Sequence, residues 1–158
     1  MMLRVTEPGS ELNARFELLE TEAPAGCQFL CQTFSSPREI AAIHAMWTGP
    51  EISCPVPLEA IPNDMRTPLA PENMTIQPQP GELVLACLPA RYWGGGPDPI
   101  FDLGIFYGPG ARMLFPVGWL PGSVVGRVVP GQQQHLAEAC TAIRRSGACT
   151  MSFTILPG

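Results

Sequence analysis

The stretch Asn13-Ala14-Arg15-Phe16-Glu17-Leu18 decides the fold, because polar and apolar residues alternate along it without interruption. A period of two is typical of a strand that buries one face and exposes the other. The segment from Leu3 to Val5 lies shortly before it and fits the partner strand of a hairpin. These residues therefore predict a pair of half-buried antiparallel strands.

Two later segments have helical periodicity instead. The first follows Thr21, which is the predicted N-cap, and ends at Ser35-Ser36-Pro37. The second spans Gln132–Ser146, and Gly147 can close it in the left-handed conformation. Their apolar stripes are Cys27, Leu30, Cys31 and Phe34 in the first helix and Leu136, Ala139, Cys140 and Ile143 in the second.

The remaining apolar runs are short and bounded by glycine or proline, which indicates strands. They are Ile40–Trp47, Glu51–Val56, Glu82–Leu88, Asp102–Gly108, Val124–Val129 and Met151–Ile155. The segment from Pro55 to Gly81 contains seven prolines and several apolar residues, so it is predicted to be a long ordered loop.

This order of elements predicts one domain over residues 1–158. About eight strands is the number at which side chains just fill a barrel. Two helices are too few to cover both faces of a parallel sheet. We therefore predict a mostly β (α+β) fold, a closed antiparallel β-barrel of about eight strands capped by two helices at opposite openings.

Composition excludes several classes of function. The net charge is −5 and the acidic residues are dispersed, so no basic surface for nucleic acid is expected. All nine basic residues are arginine, which excludes Schiff-base catalysis and a phosphate-binding P-loop lysine. The chain shows no signal peptide and no run of membrane-spanning length. We therefore expect a cytoplasmic protein that makes no membrane contact, with its six cysteines reduced.

Several segments resemble, in the same order, a family of uncharacterised bacterial proteins with a cyclophilin-like barrel. They are Phe16-Glu17-Leu18-Leu19-Glu20 before Ala23-Pro24, Ile43-His44-Ala45-Met46-Trp47-Thr48-Gly49-Pro50-Glu51, Pro71-Glu72-Asn73, Pro80-Gly81-Glu82, Gly104-Ile105-Phe106-Tyr107-Gly108, and Pro121-Gly122 before Val125-Gly126-Arg127-Val128. The resemblance implies a cyclophilin-like fold and no established activity. Active prolyl isomerases of the cyclophilin family carry a Phe-His-Arg run and a Gln-Gly-Gly-Asp run, and both are missing here.

A polar ring in an apolar strand makes His44 the first candidate site residue, with Glu51 after the turn as its candidate partner. The alternative is a structural histidine packed beneath a loop. Aromatic and basic residues near glycine-rich turns complete a candidate pocket at the barrel mouth, although each also fits a structural role. The candidate ligand-binding residues are His44, Trp47, Glu51, Trp93, Tyr107 and Arg112.

These observations favour a protein that binds a small polar metabolite in the barrel-mouth pocket. The alternative is a small-molecule enzyme, a hydrolase or lyase, with His44 as general base. A prolyl isomerase is the third and least favoured hypothesis, and no catalytic residue is assigned.

No metal or cofactor motif is recognised, because Cys27 and Cys31 lack further ligands. The apolar run from Met113 to Leu120 either folds over the barrel or predicts a homo-oligomer.

Overall fold

A computed structural model describes residues 1–157 of the chain. These residues contain eleven strands and two α-helices. The strands are β1 (Met2–Glu7), β2 (Leu12–Leu18), β3 (Arg38–His44), β4 (Glu51–Pro55), β5 (Met74–Thr75), β6 (Glu82–Leu88), β7 (Ile100–Phe106), β8 (Leu114–Phe115), β9 (Gly118–Trp119), β10 (Gly122–Val128) and β11 (Ala148–Leu156). The helices are α1 (Pro24–Thr33) and α2 (Gln133–Ser146).

Eight of these strands close into an antiparallel barrel. They pair in the order β2-β1-β11-β3-β4-β7-β6-β10, and β10 pairs back onto β2. The predicted alternation holds along β2, where Ala14, Phe16 and Leu18 are buried and the residues between them are exposed. The inward side chains of all eight strands form one apolar core. The predicted barrel is therefore confirmed.

The two helices close opposite openings of the barrel. Phe29 of α1 stacks on Phe101 near the start of β7, with ring centroids 5.2 Å apart. Thr141 of α2 lines a cavity together with Tyr107, which follows the end of β7. Within residues 1–157, neither helix combines the length and the apolar character that crossing a bilayer requires.

The start of α1 differs from the prediction. The helix begins at Pro24, and Thr21 makes no capping contact with it. Instead Oε2 of Glu72, far along the chain, accepts the backbone N–H groups of Ala25 and Gly26 at 2.9 and 3.2 Å. A loop carboxylate thus satisfies the free donors of the first turn, which is a long-range contact that local sequence cannot indicate.

The strand predicted over Ile40–Trp47 is too long. It ends at His44, because Ala45 donates its N–H to the carbonyl oxygen of Glu51 at 2.9 Å and the chain turns. We call residues 45–50 the β3–β4 loop. Trp47 consequently lies on this loop, outside the sheet.

A second apolar layer covers part of the outer face of the barrel. Val84, Ala86 and Phe106 point outward from β6 and β7, and the segment from 111 to 120 packs over them. Strand β6 is accordingly buried on both faces, as its uninterrupted apolar sequence predicts. The run from Met113 to Leu120 mostly folds over the barrel, while Val117 and Trp119 stay exposed.

Candidate functional site

A cavity of about 420 Å³ opens on this outer face, beside the covering segment. Strands β3, β4, β6 and β7 form its base, and the β3–β4 loop and the loop after β6 form its walls. Most of its lining is apolar. The lining residues are Ile43, Ala45, Met46, Trp47, Thr48, Glu51, Ser53, Pro55, Ala86, Leu88, Trp93, Ile100, Asp102 and Phe115. We call it the outer cavity.

Two carboxyl groups line the outer cavity, and Glu51 is the more deeply buried. Its side chain is only 3% exposed, and Thr48 donates its hydroxyl to Oε2. Burial raises the pKa of Glu51 to about 8; the nearby charge of Asp102 adds to the rise and the bond from Thr48 opposes it. Glu51 therefore holds its proton at neutral pH.

Asp102 lies on the neighbouring strand and faces the same cavity. The hydroxyl of Ser53 lies 2.9 Å from each of its carboxylate oxygens and donates to them. Burial raises the pKa of Asp102 to about 6, against hydrogen bonds from Ser53 and the backbone of Cys54. Asp102 is thus the more acidic of the two, and at neutral pH the pair carries about one negative charge.

Three aromatic rings line the outer cavity together with the acid pair. Trp47 and Trp93 meet edge to face with centroids 5.6 Å apart, and Trp93 meets Phe115 in the same way at 5.9 Å. Neither lysine, arginine nor histidine occurs among the described residues that line the outer cavity. The site therefore combines an apolar aromatic wall with a negative floor.

A second cavity of about 630 Å³ lies at the barrel opening beside α2. His44, Tyr107 and Arg144 line it, on the other side of the β3–β4 loop. Nδ1 of His44 lies 2.9 Å from the carbonyl oxygen of Ala45, which can only accept, so Nδ1 carries the proton. Nε2 of the neutral ring then accepts the hydroxyl of Tyr107 at 2.7 Å. We call this the mouth cavity.

The six predicted site residues do not line one pocket. Trp47, Glu51 and Trp93 line the outer cavity, while His44 and Tyr107 line the mouth cavity. Arg112 lines neither, and its backbone N–H donates to the carbonyl oxygen of Thr48 at 2.9 Å. Whether any of them contacts a ligand stays a prediction.

The predicted contact between His44 and Glu51 is wrong. In the β3–β4 pairing His44 lies opposite Ile52, so the two share a face of the sheet. Glu51 is the next residue along β4 and points to the other face. His44 therefore faces the barrel interior and Glu51 faces the outer cavity.

Sequence reasoning missed Thr48, Ser53 and Asp102 as site residues. Asp102 had a visible signal, because it is the single charged residue in the apolar strand Ile100–Phe106. A charge in such a strand is buried only where hydrogen bonds or a pocket receive it. Arg144 was also missed, because its place in the last turn of α2 suits the helix dipole.

Comparison with known proteins places the chain in a family. The family model described as "Protein of unknown function (DUF3830)" matches residues 5–155. The chain belongs to the DUF3830 family. No curated protein matches this DUF3830 member in sequence.

Two solved structures resemble this DUF3830 chain. McbB in complex with tryptophan is similar over 99% of this chain and 45% of its own, with a TM-score of 0.70 and 15% identity. The chain therefore spans less than half the length of that protein. A cyclophilin-type peptidyl-prolyl cis-trans isomerase of Cryptosporidium parvum, solved with the dipeptide Ala-Pro, is similar over 100% of both chains, with a TM-score of 0.50 and 11% identity. At these identities the likeness shows the fold, which is cyclophilin-like as predicted.

Proposed function

We propose that this protein binds a small organic amine with an apolar or aromatic body in the outer cavity. One observation carries the proposal: an apolar, aromatic-walled cavity has two carboxyl groups on its floor and no basic side chain among its described lining residues. The predicted ligand was a small polar metabolite at the barrel mouth. The outer cavity supports a ligand that is polar at one end only.

The chemistry of the lining matches the two ends of such a ligand. A cavity of about 420 Å³ lies in the range of small-molecule sites. The faces and edges of Trp47 and Trp93 can pack against an apolar body, and a cation is attracted to an indole face. An ammonium group on the floor would donate to Glu51 and Asp102 in charge-assisted hydrogen bonds.

Binding of an ammonium group is expected to release a proton. Glu51 is protonated in the free protein at neutral pH, and a bound cation favours its ionised form. The Glu51 proton then leaves to solvent as the ammonium takes its place. Affinity for the amine should consequently rise with pH up to about pH 8, the pKa of Glu51 in the free protein.

Tryptamine is the probe for this proposal, because it joins an indole to an amine. The structure of McbB contains tryptophan, which makes tryptophan the second probe. Isothermal titration calorimetry should detect tryptamine binding, and indole, which lacks the amine, should bind at least about tenfold more weakly. Heats measured in buffers of different ionisation enthalpy should show the released proton.

Variants locate the binding. Glu51→Gln and Asp102→Asn should each weaken tryptamine binding, while Glu39→Gln should not, because Glu39 is an exposed acid on β3 outside the cavity lining. Equal affinities for indole and tryptamine, or an equal loss in all three variants, would overturn the proposal.

A small-molecule enzyme is the second candidate, because the outer cavity brings together two hydrogen-bonded carboxyl groups. Glu51, with a pKa of about 8, can donate a proton where Asp102, at about 6, can accept one. The predicted general base, His44, is less suited, because Tyr107 occupies its free nitrogen. Turnover of a bound amine that is lost in Glu51→Gln and kept in His44→Gln would establish the enzyme and assign the acid.

Two further expectations remain proposals. Prolyl isomerase activity is supported only by the likeness of fold. Faster cis-trans isomerisation of a proline-containing peptide in the presence of the protein would test it. A cytoplasmic location is supported by the six free cysteines of the described chain. Fractionation of cells that express the tagged protein would test that location.

A further inference from the structure

The mouth cavity has the opposite electrostatic character to the outer cavity. Its lining contains Arg144 and His44 and, among the described residues, no aspartate or glutamate. This is unexpected in a chain with a net charge of −5. A cavity whose lining has an arginine and no carboxylate favours negatively charged molecules.

Arg144 is available to a ligand. The ion pairs between residues 1 and 157 join the N-terminus to Glu20 and Arg127 to Glu82, and neither involves Arg144. Arg144 lines the same cavity as His44 and Tyr107. Burial lowers the pKa of His44 and the charge of Arg144 lowers it further; burial raises the pKa of Tyr107 and Arg144 opposes that rise.

We propose that the mouth cavity binds a small molecule through a carboxylate or phosphate group held by Arg144 and Tyr107. Arg144 supplies planar N–H donors that match two oxygens of such a group. The hydroxyl of Tyr107 supplies a further donor once His44 is protonated. This site is separate from the amine site, because the β3–β4 loop divides the two cavities.

The role of His44 follows from its hydrogen bonds. In the neutral ring Nε2 accepts the hydroxyl hydrogen of Tyr107, so that hydrogen is not free for a ligand. When His44 takes a proton from solvent, Nε2–H donates to the Tyr107 oxygen instead. The Tyr107 O–H can then rotate and donate to the bound anion. Anion binding should therefore be accompanied by proton uptake at His44.

Glu51 and Asp102 change charge in an overlapping pH range, and both line the outer cavity on the other side of the β3–β4 loop. Opposite His44, β4 presents Ile52, and α2 presents Arg144. Burial raises the pKa of Cys140 in α2 to about 12 and that of Cys149 in β11 to about 11, so both thiols remain neutral. The pH dependence of anion binding that persists in a Glu51→Gln, Asp102→Asn background should therefore report on His44.

The experiment is an NMR titration of the whole protein with acetate and, separately, with inorganic phosphate, observed at the His44 ring. Sodium chloride at matched ionic strength is the control for screening. Acetate serves for the pH series, since it stays ionised where histidine titrates. A response to acetate alone would identify a carboxylate ligand, and a response to phosphate alone a phosphorylated one. A response equal to that of chloride would overturn the proposal.

Three variants complete the test. Arg144→Ala should weaken acetate binding about tenfold or more. Arg145→Ala should leave it unchanged, because this neighbouring exposed arginine lies outside the cavity lining. Tyr107→Phe should weaken binding and reduce the increase in affinity at low pH. Equal affinities of Arg144→Ala and Arg145→Ala, or an unaltered pH dependence in Tyr107→Phe, would contradict the site.

Discussion

The carboxylate of Glu51 occupies the space that a side chain at position 104 would fill. A Cβ atom built on Gly104 would collide with Oε1 of Glu51 and would lie 2.9 Å from the ring of Phe106. Gly104 is directly opposite Ser53 in the pairing of β4 with β7. Because Gly104 of β7 has no side chain, the side chain of Glu51 on β4 can lie flat across the sheet.

Gly104→Ala should destabilise the protein by about 1–3 kcal/mol through overpacking. The backbone of Gly104 has no positive φ, so the cost comes from the clash alone. Urea denaturation checks the change. In the Glu51→Ala background the same substitution should cost less, since only the contact with Phe106 remains, and additive effects of the two changes would contradict the contact with Glu51.

Glu51→Gln should flatten the pH dependence of stability. Because burial raises the pKa of Glu51 from 4.5 to about 8, the native state holds a proton that the unfolded chain releases. This contribution is complete below about pH 4.5 and is lost as the pH rises toward 8, with a slope of up to about 1.4 kcal/mol per pH unit. Urea denaturation across this range should show Glu51→Gln more stable than wild type at the alkaline end. A parallel pair of curves would refute the burial of an acid here.

Arg144→Ala should raise the pKa of His44. Removal of a neighbouring positive charge makes the imidazolium form less costly. An NMR pH titration of the imidazole resonances measures this, and His135, the other histidine of the chain, is an internal reference. Arg145→Ala is the matched control and should leave the His44 pKa in place.

Glu72→Ala should cost about 1 kcal/mol of stability, the usual value of a helix N-cap. The Glu72 carboxylate accepts hydrogen bonds from the backbone N–H groups of Ala25 and Gly26, which lie 47 and 46 residues earlier in the chain. Thr21→Ala, at the position where the sequence predicts the cap, should change stability by less than about 0.5 kcal/mol. Thermal denaturation of the two variants side by side decides which residue caps the helix.

The protein is expected to form a homo-oligomer through the β8–β9 hairpin. Trp119 and Val117 remain 52% and 44% exposed there, although the rest of the hairpin segment packs on the barrel. Light scattering at micromolar concentration should give more than the monomer mass of 17.0 kDa, and Trp119→Ser should reduce it. A monomer mass for the wild-type chain would refute the expectation.

Local patterns predicted the barrel well. The alternation in β2 and the apolar stripe of α2 each depend on neighbours in sequence, and periodicity reports such neighbours directly. Gly147 adopts the left-handed conformation expected for a helix end. The capping of α1 by Glu72 could not be predicted in this way, because the partner comes from a distant loop.

The candidate site was predicted only in part, because it depends on strand register. Glu51 and Asp102 become neighbours through the pairing of β4 with β7, in which Pro55 lies opposite Asp102. No local pattern contains that register. The assignment of His44 and Glu51 to one pocket failed for the same reason, since a single residue along a strand changes the face.

The pairing of β2 with β10 completes a ring in which every barrel strand has a neighbour on both sides. Backbone N–H and C=O groups of these strands are thus already engaged, so another chain cannot extend the ring by adding a strand to it. Self-association of this molecule then has to use side chains or the β8–β9 hairpin, whose two-stranded sheet lies outside the ring.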